Sequence, residues 1–215
     1  MLIWPMQAKT VTVNKWFNCG QVCLSPDYVL INKKLVSEFL EQLREAIKNE
    51  YVPNPKEAQN YSRMINERHF HRIESYIKSV QGELLYKSAE ENDVTDKFVG
   101  PHVFQVSKEE LLKHEEVFGP VLLVVAVESF DESIEIVNSN EKCLSLYMIT
   151  GDEQKVERLT NETSSGSLTI NDMIKHFAIA GLPFGGVGES GMGSYHAKFG
   201  FDTFTHKKAV LNKRL

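Results

Sequence analysis

The chain is poor in the features that mark a membrane protein, a disulfide-stapled secreted domain or a nucleic-acid binder. Its longest apolar run, Val121 to Val127, falls well short of the roughly 20 residues that cross a bilayer, and it reads as a buried strand with no membrane span. Met1-Leu2-Ile3-Trp4-Pro5-Met6 is apolar, but it is too brief for the core of a secretory signal and no Lys or Arg precedes it. Cysteine is scarce: Cys19, Cys23 and Cys143 are odd in number and lack a disulfide-framework spacing, which suits a reducing compartment and makes cytoplasmic the expected location. No basic stripe interleaved with aromatics occurs, so nucleic acid is not an expected partner. Metal ligands are also wanting. Cys19 and Cys23 have the i,i+4 spacing of ligands on a helix but no convincing second pair, while His69 and His71 fall on opposite sides of a helix.

What is present fits a soluble globular chain. The 215 residues are 42% hydrophobic and 25% charged, with a net charge of −5, enough to bury a substantial core and too ordered in composition for general disorder. Strand-like and helical patterns alternate, so the fold class expected is α/β, with a largely parallel sheet flanked by helices. Tyr28 to Ile31 reads as a strand. Leu35, Val36, Phe39, Leu40, Leu43 and Ile47 recur at helical spacing up to Tyr51, and Phe70, Ile73, Ile77 and Val80 form a second stripe with Gly82 as its expected C-cap. Leu84 to Tyr86, Phe98 to Val106, Val121 to Val127, Leu146 to Ile149 and Gly166 to Ile170 read as extended, with Val121 to Val127 central because it is apolar at successive positions. Asp131 and Asp152 are the expected caps of two intervening helices. Lys207 to Arg214 reads as an edge strand or packing tail.

The chemistry concentrates in Asn18-Cys19-Gly20-Gln21-Val22-Cys23-Leu24-Ser25-Pro26-Asp27-Tyr28. A thiol in a glycine-containing loop just before a strand is placed where a rigid element can aim it. Cys23 is the candidate nucleophile; taken alone, a lone cysteine is more often a small inert hydrophobe. Gly186-Val187-Gly188-Glu189-Ser190-Gly191 has the letters of a dinucleotide fingerprint, but it follows Leu182-Pro183-Phe184 rather than a hydrophobic strand and no helix is expected beyond it. Its glycines read instead as a tight loop with positive φ. His196 and His206 read as packing or hydrogen-bonding groups.

Four segments in order, Asn18 to Cys23, Glu115-Glu116-Val117-Phe118-Gly119-Pro120, Ser165-Gly166 through Asn171, and Leu182 to Gly191, resemble the C-terminal half of aldehyde dehydrogenases. Pro26-Asp27-Tyr28 and Gly193-Ser194-Tyr195-His196 resemble its class 3, or fatty aldehyde, branch. The resemblance implies NAD(P)-dependent oxidation of an aldehyde to a carboxylic acid, with Cys23 forming a thiohemiacetal and then a thioester. It implies that Glu116 and Phe118 contact NAD or NADP, that Phe184 walls the active site, and that Asn171 supports the catalytic loop; Asn18 belongs to the same set. Outside the resemblance, Glu116 is a solvated acid, Phe118 a core ring and Asn171 a turn residue. Cys19 is an auxiliary or structural thiol that oxidation can link to Cys23.

The division expected is a divergent segment 1–14, a catalytic domain 15–181, and a glycine-rich loop with a packing or oligomerisation tail 182–215. The family's Rossmann-like cofactor domain and its Glu-Leu-Gly-Gly base segment do not occur upstream of Asn18, so the chain is expected to be an incomplete catalytic portion. Three functions follow: an aldehyde dehydrogenase portion completed by another polypeptide or a longer gene product; a non-enzymatic interaction protein that pairs with full-length subunits; and a cofactor-independent thiol hydrolase using Cys23. The expected partner is a second copy, as a homodimer, or a full-length homologue. An apolar surface left uncovered is expected to drive association.

Overall fold

The computed structural model describes residues 4–113 and 115–214. In chain order its elements are α1 (Trp4–Trp16), β1 (Tyr28–Asn32), α2 (Val36–Glu50), α3 (Glu67–Ser79), β2 (Gly82–Lys87), β3 (His102–Val106), α4 (Lys108–Leu111), β4 (Val121–Val127), α5 (Phe130–Ser139), β5 (Ser145–Met148), α6 (Glu153–Glu162), β6 (Ser167–Ile170) and α7 (Ala197–Thr203). Four strands form one sheet in the order β1-β4-β3-β2, and β5 pairs with β6 in a second. β4 is the central strand: it runs parallel to β1 and to β3, and its side chains are buried apart from the half-buried Ala126.

The strand pairing is largely parallel, as expected, and the four-stranded sheet is made mixed by one antiparallel strand. β2 pairs antiparallel with β3, because residues 88–101 between them hold no crossover helix, and without a crossover a strand can only return antiparallel to its neighbour. Gly82 opens β2 instead of capping α3. A Cβ there would lie 2.5 Å from the Gln105 carbonyl oxygen, so the strand approaches closely only with glycine, and α3 ends at Val80 in extended conformation. Ser129, not Asp131, caps α5 by accepting the Glu132 N–H, whereas Asp152 caps α6 as its position in the sequence suggests. Residues 207–214 form no strand, and Val210 and Leu211 are exposed.

Residues 1–14, expected only to be divergent, contain most of α1, which runs across the boundary at residue 15 and packs on α2. Its buried stripe is Ala8, Val11, Thr12, Lys15 and Trp16, the i, i+3, i+4, i+7, i+8 positions of one helical face. Two of the five are polar, which hides the periodicity. α2 buries Val36, Phe39, Leu40, Leu43 and Ile47 at the same spacing, and these join the β4 side chains in the main core.

Two buried histidines are built into the fold. His102 on β3 is buried with Nδ1 2.8 Å from the Gly100 carbonyl oxygen, and burial lowers its pKa below the ordinary 6.5. His176 is buried against Ser167 and Thr169 on β6, and burial again lowers its pKa. A base depressed in the folded state gives stability that is present above its unfolded pKa and is lost as pH falls below it. The urea midpoint is therefore expected to be flat above neutrality and to fall from pH 6.5 toward pH 5, at up to about 1.4 kcal/mol per pH unit for His102. His102→Asn is expected to shallow the slope, and equal slopes in the two proteins would contradict this.

Candidate active site

After α1 the chain turns sharply, with Asn18, Cys19 and Gly20 at φ of 48°, 56° and 70°. Left-handed backbone costs a side-chain-bearing residue roughly 1–2 kcal/mol, so the turn needs outside support. Gln21 supplies much of it: its amide donates to the Asn18 and Arg63 carbonyls and accepts from the Ile65 N–H. The Asn18 amide donates to the Gln21 carbonyl at 3.2 Å. Gly20 packs so tightly that a Cβ would lie 2.2 Å from the Gly119 oxygen. The two thiols have opposite surroundings. Cys19 is buried beside the Tyr61 hydroxyl and Met64, where burial pushes its thiol up to about 12. Cys23 is exposed.

Beyond Cys23, the Ser25 N–H donates to Val22, and the Tyr147 hydroxyl on β5 donates to the Leu24 carbonyl at 2.9 Å. The second sheet is thereby fastened to the cysteine loop. Asp27 then meets the segment 116–120 from below. Its carboxylate accepts the Val117 N–H at 3.1 Å and lies 3.8 Å from Lys15 Nζ, whose side chain is only 1% exposed. Burial raises the pKa of Asp27 and lowers that of Lys15. From the other side Arg72 donates to the Val117 and Phe118 carbonyls at 2.7 and 2.9 Å, and the Trp16 indole donates to the Pro120 carbonyl at 3.0 Å. So fixed, the loop presents Glu116 and a Phe118 ring that is 37% exposed, at φ 46°. Desolvation first, then the Asp27 charge, raises the Glu116 pKa, while Lys15 and Arg72 pull it back.

Cys23, Glu115 and Glu116 line one cleft of about 1160 Å³ that runs between β1 and β5, with Glu189 and Ser190 from the glycine-rich segment at its wall. Asn18, Phe118, Asn171 and Phe184 are not among its lining residues. Asn171, at φ 60°, accepts the Thr150 N–H at 2.8 Å and so holds the turn after β5, not the cysteine loop. Phe184 pairs its backbone with Tyr195 and packs its ring against Phe177, Tyr195 and His196. The glycines 188, 191 and 193 take positive φ, and a three-residue 3-10 turn directly follows Val187, so this tract is the tight loop read from the sequence; contrary to the expectation of no helix beyond it, α7 (Ala197–Thr203) follows. Lys15, Arg72 and Tyr147 were not singled out by the sequence, and Asp27 stood out only as part of the Pro26-Asp27-Tyr28 motif, with no role attached. The signal available was a lysine and a threonine in an otherwise apolar helical stripe.

The order of these segments along the chain has a counterpart in known proteins. The pattern described as "Aldehyde dehydrogenase family" matches residues 6–210. The chain belongs to the aldehyde dehydrogenase family. It is 39% identical over 208 residues to aldehyde dehydrogenase family 3 member A2 of Mus musculus, covering 96% of this chain and 42% of that protein. It is 37% identical over 211 residues to the dimeric NADP-preferring aldehyde dehydrogenase of Rattus norvegicus, covering 96% and 45%. A solved structure titled "Substrate bound state of Staphylococcus Aureus AldH" superimposes with a TM-score of 0.90 at 32% identity, covering all of this chain and 48% of that one. The chain thus spans less than half the length of these relatives. Among the described residues, no helix is long and apolar enough to cross a membrane.

Proposed function

We propose that this chain is the catalytic portion of an NAD(P)-dependent aldehyde dehydrogenase, with Cys23 as its nucleophile. The observation that carries the reading is the opposite fate of two thiols four residues apart: Cys19 is buried and Cys23 opens on the cleft that Glu116 lines. Thiolate sulfur adds to the aldehyde carbon to give a thiohemiacetal, and the backbone N–H of Cys23 is the candidate donor to the oxyanion. Loss of hydride leaves a thioester, which water cleaves to the carboxylic acid and the free thiol. When bound, the dinucleotide supplies the hydride acceptor.

The residues present fit the nicotinamide end of that group. Glu116 offers a carboxylate to ribose hydroxyls, and Phe118 offers an exposed ring to pack near the nicotinamide. Asn18 keeps the turn that aims Cys23, whereas Phe184, packed against Phe177, Tyr195 and His196, could wall the substrate side only if the aldehyde extends beyond the cleft that Cys23 lines. The division at residue 182 belongs to the same reading, with α1 joined to the catalytic domain it packs on, as does a cytoplasmic location, for which the free cysteines speak. The tail gives a second element: Phe204 and Leu211 are 90% and 94% exposed, which supports pairing of this chain with a second copy or with a full-length relative.

The test is aldehyde-dependent reduction of NAD and NADP by the purified chain. Turnover by the chain, alone or once completed by a second polypeptide, is expected to disappear in Cys23→Ala, with a higher dinucleotide KM and little change in aldehyde KM in Glu116→Ala. Turnover that survives in Cys23→Ala would count against the reading, whereas none from the native chain alone is the result expected of an incomplete catalytic portion.

A further inference from the structure

We propose that Arg72, opposed by Asp27, is a positioning residue that holds Glu116 and Phe118 in place beside the Cys23 loop. For what the loop does, this rests on the cofactor reading above; for how the loop is held, it rests on geometry. In extended chain successive carbonyls point in opposite directions, yet those of Val117 and Phe118 both reach one guanidinium, at 2.7 and 2.9 Å. The backbone achieves this by taking Phe118 to φ 46°, a region that disfavours any residue with a side chain. Arginine suits the task because its planar fork is always charged and carries several donors in fixed directions. Its Nε also lies 3.4 Å from His69 Nδ1, one turn back on α3.

The opposite face of the same peptide chain is held independently. Asp27 accepts the Val117 N–H, and Lys15 stands behind the carboxylate. Val117 is therefore gripped at both its N–H and its carbonyl by groups 90 and 45 residues away, while its own side chain is buried. The residues on either side of it are the two that face outward. Lysine at position 72 would supply a point charge rather than a fork, so it cannot hold both carbonyls in the same geometry. Arg72 is only partly buried at the surface of α3, and its replacement leaves the core of that helix, Phe70 and Ile73, untouched.

The test compares the native chain with Arg72→Gln and Arg72→Lys. Amide exchange at Val117 and the indole resonance of Trp16, which donates to Pro120, report the loop without any cofactor. NAD and NADP binding by calorimetry reports its function. In Arg72→Gln we expect Val117 to exchange about tenfold faster or more, as loss of charge-assisted bonds implies, with the Trp16 resonance shifted and β4 amides unchanged. Dinucleotide affinity is expected to fall by a similar factor, and Arg72→Lys to lie between. Unchanged Val117 exchange in Arg72→Gln would overturn the proposal, as would a loosened loop with native affinity. A native chain that binds neither dinucleotide, together with a loosened Arg72→Gln loop, would defeat the cofactor reading and leave the clamp supported.

Discussion

Iodoacetamide is expected to alkylate Cys23 rapidly and to leave Cys19 intact in the folded protein. Alkylation requires thiolate and access. Cys19 has neither: it is buried, and with its pKa pushed up to about 12 only about one molecule in 10⁴ carries the thiolate at pH 8. Cys143 is half-buried and its pKa is raised, again by burial, so it should react after Cys23. Peptide mapping after limited labelling at pH 8 measures the order directly. Denaturation in urea should bring the three rates together, since the protection of Cys19 is a property of the fold. Labelling of Cys19 ahead of Cys23 in the folded chain would mean that the turn at residues 18–20 aims the wrong sulfur.

Replacement of Asp27 by alanine is expected to have the largest effect on stability. The change removes the partner of Lys15 and the acceptor of the Val117 N–H in one step. Breaking a buried ion pair by deleting one member costs about 3–5 kcal/mol; the part exposure of Asp27 places the loss at the lower end. For a chain of this size about 3 kcal/mol corresponds to a fall in Tm of about 6–12 °C. Adding Lys15→Met to Asp27→Ala should recover part of that loss, because a matched apolar replacement leaves no unpaired charge behind. Calorimetric melting of the two variants checks both statements. A Tm within 2 °C of native for Asp27→Ala, or a further drop in the double variant, would show that the pair does not hold these segments together.

These two results also mark where the sequence was informative. Strand β4 was legible because seven apolar residues in a row suit only a strand covered on both faces, and α2 was legible because its five buried residues keep strict helical spacing. The cysteine loop and the Glu116 loop were legible as motifs. What escaped was what depends on distant partners. α1 hides its face because Thr12 and Lys15 occupy core positions, and Lys15 belongs there only because Asp27, twelve residues on, lies beside it. The antiparallel placement of β2 depends on a 14-residue connection whose path no local pattern reveals. Arg72 looked like any charged residue between two core positions of a helix, since its carbonyl partners lie 45 and 46 residues downstream. Asn171 kept its turn geometry but supports the loop after β5, a choice of partner that sequence order does not carry.

The most direct measurement of the central claim is the mass of the protein during reaction with an activated acyl ester such as p-nitrophenyl acetate, quenched in acid and mapped by peptide. An acyl group on sulfur is the same thioester that aldehyde oxidation would generate, reached without hydride transfer and hence without dinucleotide. The account predicts a single acetyl adduct on Cys23, absent from Cys23→Ala and released by hydroxylamine. An adduct at Cys19 or Cys143 instead, or acetylation undiminished in Cys23→Ala, would contradict it.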